Sequence, residues 1–91
     1  LFIDDAIDAI LVWINNKNPG IFNIGSADSP TNLDLISIIN ERMDKRLKPV
    51  FKKSEQYDFI TDISKAVSVL HFQPKTRIKD GLSHTIEKFL E

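Results

Sequence analysis

Apolar residues recur at helical spacing in four stretches, and this period limits what the chain can build. Ile7, Ile10, Leu11 and Ile14 follow at i, i+3, i+4 and i+7, which predicts a helix from about Asp5 to Asn15 with one apolar stripe. Asp4 and Asp5 are placed to cap it and to complement its positive N-terminal end. Asn15 to Gly20 stop it, with Pro19-Gly20 suited to positions i+1 and i+2 of a type II turn. Thr31 and Asp34 resemble a capping box with the shorter acid, ahead of Leu35, Ile36, Ile39 and Met43. That second helix ends near Lys45. Asp62, or Thr61, caps a third helix carrying Ile63, Ala66, Val67 and Leu70, which Pro74 prevents from continuing. Ile78, Leu82, Ile86, Phe89 and Leu90 line a fourth. Gly81 weakens that helix by about 1 kcal/mol relative to Ala, which predicts a close neighbour there.

Strand signals are few. Ile21 to Ile24 read as a short strand ended by Gly25, and Val50-Phe51 as a weaker one after Pro49. A lone strand cannot satisfy its own backbone groups. Its partner is expected to be Leu1 to Ile3, or a strand outside these residues. The fold class is therefore α/β and mostly helical, with about four helices and one or two short strands.

With 91 residues the chain holds one small domain, and a chain of this size buries only about 60–65% of its unfolded surface. A net charge of -1 points to neither nucleic acid nor an anionic membrane. The absence of cysteine excludes disulfides and thiolate metal sites and fits a reducing cytoplasm. The longest apolar stretch, Ala9 to Ile14, is far short of the ~20 residues that span a bilayer. The chain opens on Leu1-Phe2-Ile3, apolar and without an initiator Met, which reads as a cut through a longer chain.

The residues with chemistry do not assemble into a catalytic set. His71 and His84 are thirteen apart with no thiolate, so metal-ligand spacing is missing. Their ordinary roles are a helix C-terminal cap for His71 and a solvated face for His84. Asp80 and His84, at i and i+4, make an ordinary surface pair. Asp4, Asp5 and Asp8 could be read as a Mg²⁺ cluster, but acids at a helix start are explained by the dipole alone. Arg42, Lys45, Arg46, Lys48, Lys52 and Lys53 gather half of the positive charge. They read as a solvated helix end, with Lys52 and Lys53 the candidate phosphate edge. Interleaved aromatic residues are too few for a nucleic-acid surface.

Three segments, taken in order, resemble the distal part of the NAD-dependent epimerase/dehydratase family, the extended short-chain dehydrogenases that modify nucleotide sugars. They are Phe2-Ile3-Asp4-Asp5-Ala6-Ile7-Asp8-Ala9, then Ile21-Phe22-Asn23-Ile24-Gly25-Ser26. The third is Thr61-Asp62-Ile63-Ser64-Lys65-Ala66, followed by Leu70-His71-Phe72-Gln73-Pro74-Lys75-Thr76 and Asp80-Gly81-Leu82. The resemblance implies the C-terminal substrate-binding part of an extended Rossmann-type enzyme, residues 1–91. Its partners would be a nucleotide sugar and an N-terminal cofactor domain holding NAD or NADP. The glycine-rich loop and Tyr-x-x-x-Lys pair of that domain are missing from these residues, so the portion alone is expected to bind no cofactor and to catalyse nothing.

Counting back from Asp62, the family's Arg, Asp and Tyr for phosphate and ribose fall on Lys52, Glu55 and Phe59. Lys52 keeps the charge without the bidentate fork of Arg. Glu55 can accept from ribose hydroxyls, and Phe59 keeps a ring without the hydroxyl. Ser54-Glu55-Gln56 is also similar to a Gly-Asp-Gln stretch of CDP-sugar epimerases, which leaves the base open. Gly25 is expected to allow close packing near the cofactor-domain boundary. His71 stands where the family has Gly, a position that often adopts the left-handed conformation. A non-catalytic interaction module and the distal part of a related reductase or dehydrogenase are the alternatives.

Overall fold

Four helices form where the apolar period places them: α1 (Ile3–Asn15), α2 (Asn32–Met43), α3 (Ser64–Leu70) and α4 (Ile78–Phe89). The computed structural model describes residues 1–55, 57 and 59–91. The molecule is a slab, 49 × 36 × 14 Å in its Cα extents. Its radius of gyration is 16.1 Å, against about 12 Å for a compact chain of this length. One layer of helices has two faces and little interior, so much apolar surface stays in water.

The core is correspondingly small. Ala9 of α1 meets Ile63, Ala66, Leu70 and Phe72 in and around α3, with Phe22, Ile24 and Val69 packed against them. The inner face of α1 is thus Asp5 and Ala9. The stripe expected to be buried lies outward instead: Ile7, Ile10, Leu11 and Ile14 are 48–62% exposed. Alanine and a carboxylate allow a closer approach than isoleucine, and the apolar period does not say which side a neighbour covers.

Asp5 departs from its expected capping role. The helix begins two residues earlier, at Ile3, and its N-cap, Phe2, makes no side-chain bond. Asp5 is 2% exposed, and its two carboxylate oxygens accept from the backbone N–H groups of Lys75 (3.1 Å) and Thr76 (2.9 Å). The carboxylate therefore ties α1 to the turn before α4. Beside it, the Phe2 ring lies against Gly81: a Cβ on Gly81 would meet Phe2 Cδ2 at 3.1 Å and Thr76 Cγ2 at 3.3 Å. The close neighbour expected of Gly81 is an aromatic ring from the other end of the chain.

At α2 the capping box is complete. Thr31 N–H donates to Asp34 Oδ2 (2.9 Å), and Asp34 N–H donates to Thr31 Oγ1 (3.1 Å). Leu35, Ile36, Ile39 and Met43 are half-buried, as their spacing requires. The helix packs along α4, with Lys79 Nζ 3.7 Å from Glu41. First the backbone N–H of Thr31, then its hydroxyl, hold the Asp34 carboxyl below its usual value. A depressed folded value contributes stability above the unfolded pKa of about 3.9, and loses it as pH falls through the folded value. Helical Cα shifts of Asn32 to Leu35 should therefore weaken as pH falls below about 3.9 in the wild type and not in Asp34→Asn. Equal behaviour of the two would sink this account.

Among the described residues no strand forms, which corrects the expectation of one or two. Ile21 to Ile24 and Val50-Phe51 carry no ladder, and Ile3 belongs to α1. A ladder needs a partner edge about 4.8 Å away, and none is offered. Ile21 to Ile24 are instead held by side chains. Lys65 Nζ donates to the Ile21 carbonyl at 2.9 Å and sits 4.7 Å from the centre of the Phe22 ring. Pro19-Gly20 is no type II turn either, since Gly20 has φ +152° where that turn requires about +80°.

Candidate functional site

The segment that follows α2 carries the expected ligand residues, and both of its ends are anchored. Asp44 closes α2 in the left-handed conformation, at φ 51°. Asn40 then clamps the returning chain: its Nδ2 donates to the Leu47 carbonyl (2.9 Å), and its Oδ1 accepts from Leu47 N–H (3.3 Å). At the far end, Asp62 Oδ1 accepts from Ser64 N–H (2.9 Å) and from Ser64 Oγ (2.6 Å). First the Ser64 hydroxyl, then its N–H, hold the Asp62 carboxyl below its usual value. The N-cap itself is Ile63, one residue further than expected, so Asp62 braces the turn entering α3. Gly25 lets Thr61 approach closely, since a Cβ there would meet Thr61 Cβ at 3.0 Å. The neighbour Gly25 accommodates belongs to this chain.

Most of the described side chains between the anchors face water. Lys48, Lys52, Lys53 and Glu55 are exposed, and Phe59 is 84% exposed. Lys52, Glu55 and Phe59 therefore sit on one accessible segment, within reach of a ligand and unused by the core. Among the described residues no ion pair involves Lys52. Glu55 has a partner that the spacing did not indicate: Tyr57 Oη donates to Glu55 Oε2 at 2.5 Å. Gln56, read with Ser54 and Glu55 above, lies outside the described residues. Asn40 was equally unforeseen, since an Asn inside a helical stripe gives no sign of a bond seven residues on.

The two histidines take structural positions. His71 ends α3 at φ 56° and ψ 29°, the left-handed conformation expected where the resembled family has Gly. His84 does not pair with Asp80. Its Nδ1 lies 3.7 Å from Glu87, and its ring centre is 5.9 Å from that of Phe2. His84 stays exposed, as expected of a solvated helix face.

A cleft of about 440 Å³ opens between α1 and the Phe22–Ile24 segment, lined by residues including Ala6, Ile10, Trp13, Phe22, Ile24 and Leu70. It offers apolar surface and no titratable side chain. A dinucleotide finds no cradle among the described residues. Gly25 and Gly81 are committed to close neighbours within the chain rather than to a phosphate loop. No helix is long and apolar enough to cross a membrane among those described.

No family model matches the chain. Its sequence is 26% identical over 97% of its length to UDP-glucuronic acid decarboxylase 1 of Arabidopsis thaliana, of which it spans 21%. It is 34% identical over 93% of its length to an uncharacterized UDP-glucose epimerase of Bacillus subtilis, of which it spans 28%. The crystal structure of UDP-glucose 4-epimerase with UDP-glucose from Thermotoga maritima superposes on 97% of the chain, at a TM-score of 0.80 and 29% identity. The chain covers 30% of that molecule. It thus spans about a fifth to a third of the proteins it matches.

Proposed function

Because the chain belongs to the epimerase/dehydratase family of nucleotide-sugar enzymes, we propose that it is the substrate-binding portion of such an enzyme and grips the nucleotide end of the substrate. The observation that carries this reading is its likeness, over 97% of its length, to an epimerase crystallised with UDP-glucose. The anchored, exposed segment adds to it. Lys52 meets the diphosphate as a point charge. Glu55 accepts from ribose hydroxyls, and Phe59 lays its ring against the ligand. Holding these remote groups positions the sugar for a reaction carried out by other residues. Those residues, with NAD or NADP, are assigned to an N-terminal cofactor domain, and the parent enzyme to the isomerases or lyases of the cytoplasm.

Calorimetric titration with UDP tests the binding half of this reading. Lys52→Ala should weaken binding roughly five- to tenfold, the order of one charged contact that is partly screened by solvent. Unchanged affinity would remove Lys52 from the site. Turnover of a nucleotide sugar by the 91-residue chain with added NAD would overturn the division of labour.

A second reading, a non-catalytic interaction module, draws on the outer face of α1. Ile3, Ile7, Ile10 and Ile14 lie there at 48–62% exposure, an apolar strip that a binding partner could cover.

A further inference from the structure

We propose that Tyr57 is a positioning residue for ribose: it holds the Glu55 carboxylate ready for a vicinal diol, and so makes the site select ribonucleotides. The inference rests on the reading of Lys52 and Glu55 given above. Tyr57 is 82% exposed and belongs to no core cluster, so its ring has no packing role to explain it. Its hydroxyl is spent on one partner, Glu55 Oε2, at 2.5 Å. A hydroxyl donating to a carboxylate at this distance makes a charge-assisted bond, among the stronger kinds available to side chains. The same bond pushes the Tyr57 hydroxyl above its ordinary value of about 10, at which it is already a donor at neutral pH.

The consequence for Glu55 is geometric. A glutamate outside helix and strand samples many rotamers, and a ligand must otherwise immobilise it at an entropic cost. With Oε2 held by Tyr57, the other oxygen, Oε1, and a lone pair of Oε2 stay open. Two adjacent acceptor sites match the two adjacent hydroxyls of a ribose, and a sugar without them leaves the carboxylate unanswered.

The test is calorimetric titration of the full chain with UDP and with 2′,3′-dideoxyuridine diphosphate. The wild type should prefer UDP. Tyr57→Phe should weaken UDP roughly fivefold and leave the dideoxy compound within roughly twofold, an effect of one oriented hydrogen bond. A purely structural role for Tyr57 would weaken both ligands together. Lys52→Ala should weaken both equally, because it acts on the phosphates. If Lys52→Ala weakens both and Tyr57→Phe leaves the preference intact, the role of Tyr57 is overturned and the site stands. If UDP does not bind the wild type, both fall.

Discussion

Asp5→Ala should cost about 2–4 kcal/mol, because it removes a buried carboxylate and leaves two backbone donors without a partner. The donors are the N–H groups of Lys75 and Thr76, seventy and seventy-one residues away in sequence. This clamp closes the chain end to end. The whole stability of a domain this size is about 5–14 kcal/mol, so the loss is a large share. It should lower Tm by more than about 10 °C, at roughly 4–8 °C per kcal/mol. Asp5→Asn keeps one acceptor oxygen and should fall between the wild type and Asp5→Ala. Thermal unfolding followed by circular dichroism measures all three. A Tm for Asp5→Ala within about 2 °C of the wild type would show that the clamp contributes nothing.

The second large effect is at Gly81, where side-chain size decides the sign. A Cβ there meets the Phe2 ring at 3.1 Å and Thr76 Cγ2 at 3.3 Å. Gly81→Ala gains about 1 kcal/mol of helix propensity and loses a similar amount to crowding, so its stability should change little. Gly81→Val has no such balance. Its branched methyl groups drive Phe2 off α4, at about 2–3 kcal/mol. Phe2 also packs beside His84, so the His84 ring proton resonances should shift in Gly81→Val and not in Gly81→Ala. Urea midpoints that rank Val above Ala would refute the close contact. The two substitutions bracket the same junction that Asp5 closes, where α1 meets the turn into α4.

Part of this fold was legible in the residues. The Thr31–Asp34 box needs only local geometry, and it forms as written. The left-handed end of α3 at His71 and the tight contact at Gly81 were foreseen from the resemblance and from the cost of glycine in a helix. The resemblance to nucleotide-sugar epimerases and dehydratases was carried by short motifs in order, and the likeness to UDP-glucuronic acid decarboxylases and UDP-glucose epimerases agrees with that family. Of the candidate site, Lys52, Glu55 and Phe59 are what the resemblance implies, counted back from Asp62. The hydroxyl on Glu55 and the Asn40 clamp were not legible, because each depends on how the chain returns after α2.

What the sequence determined by itself is local. Period 3.6, capping residues and Pro74 place four helices within a few residues, since these signals act through bonds three or four positions apart. The tertiary structure alone decided which face of α1 is covered and what Asp5 is for. Both faces of that helix carry residues that a neighbour could bury, and Ala9 is covered while Ile10 is not. It also decided that Ile21 to Ile24 find no ladder partner among the described residues, because a strand is a property of two chain segments and its own residues specify only one.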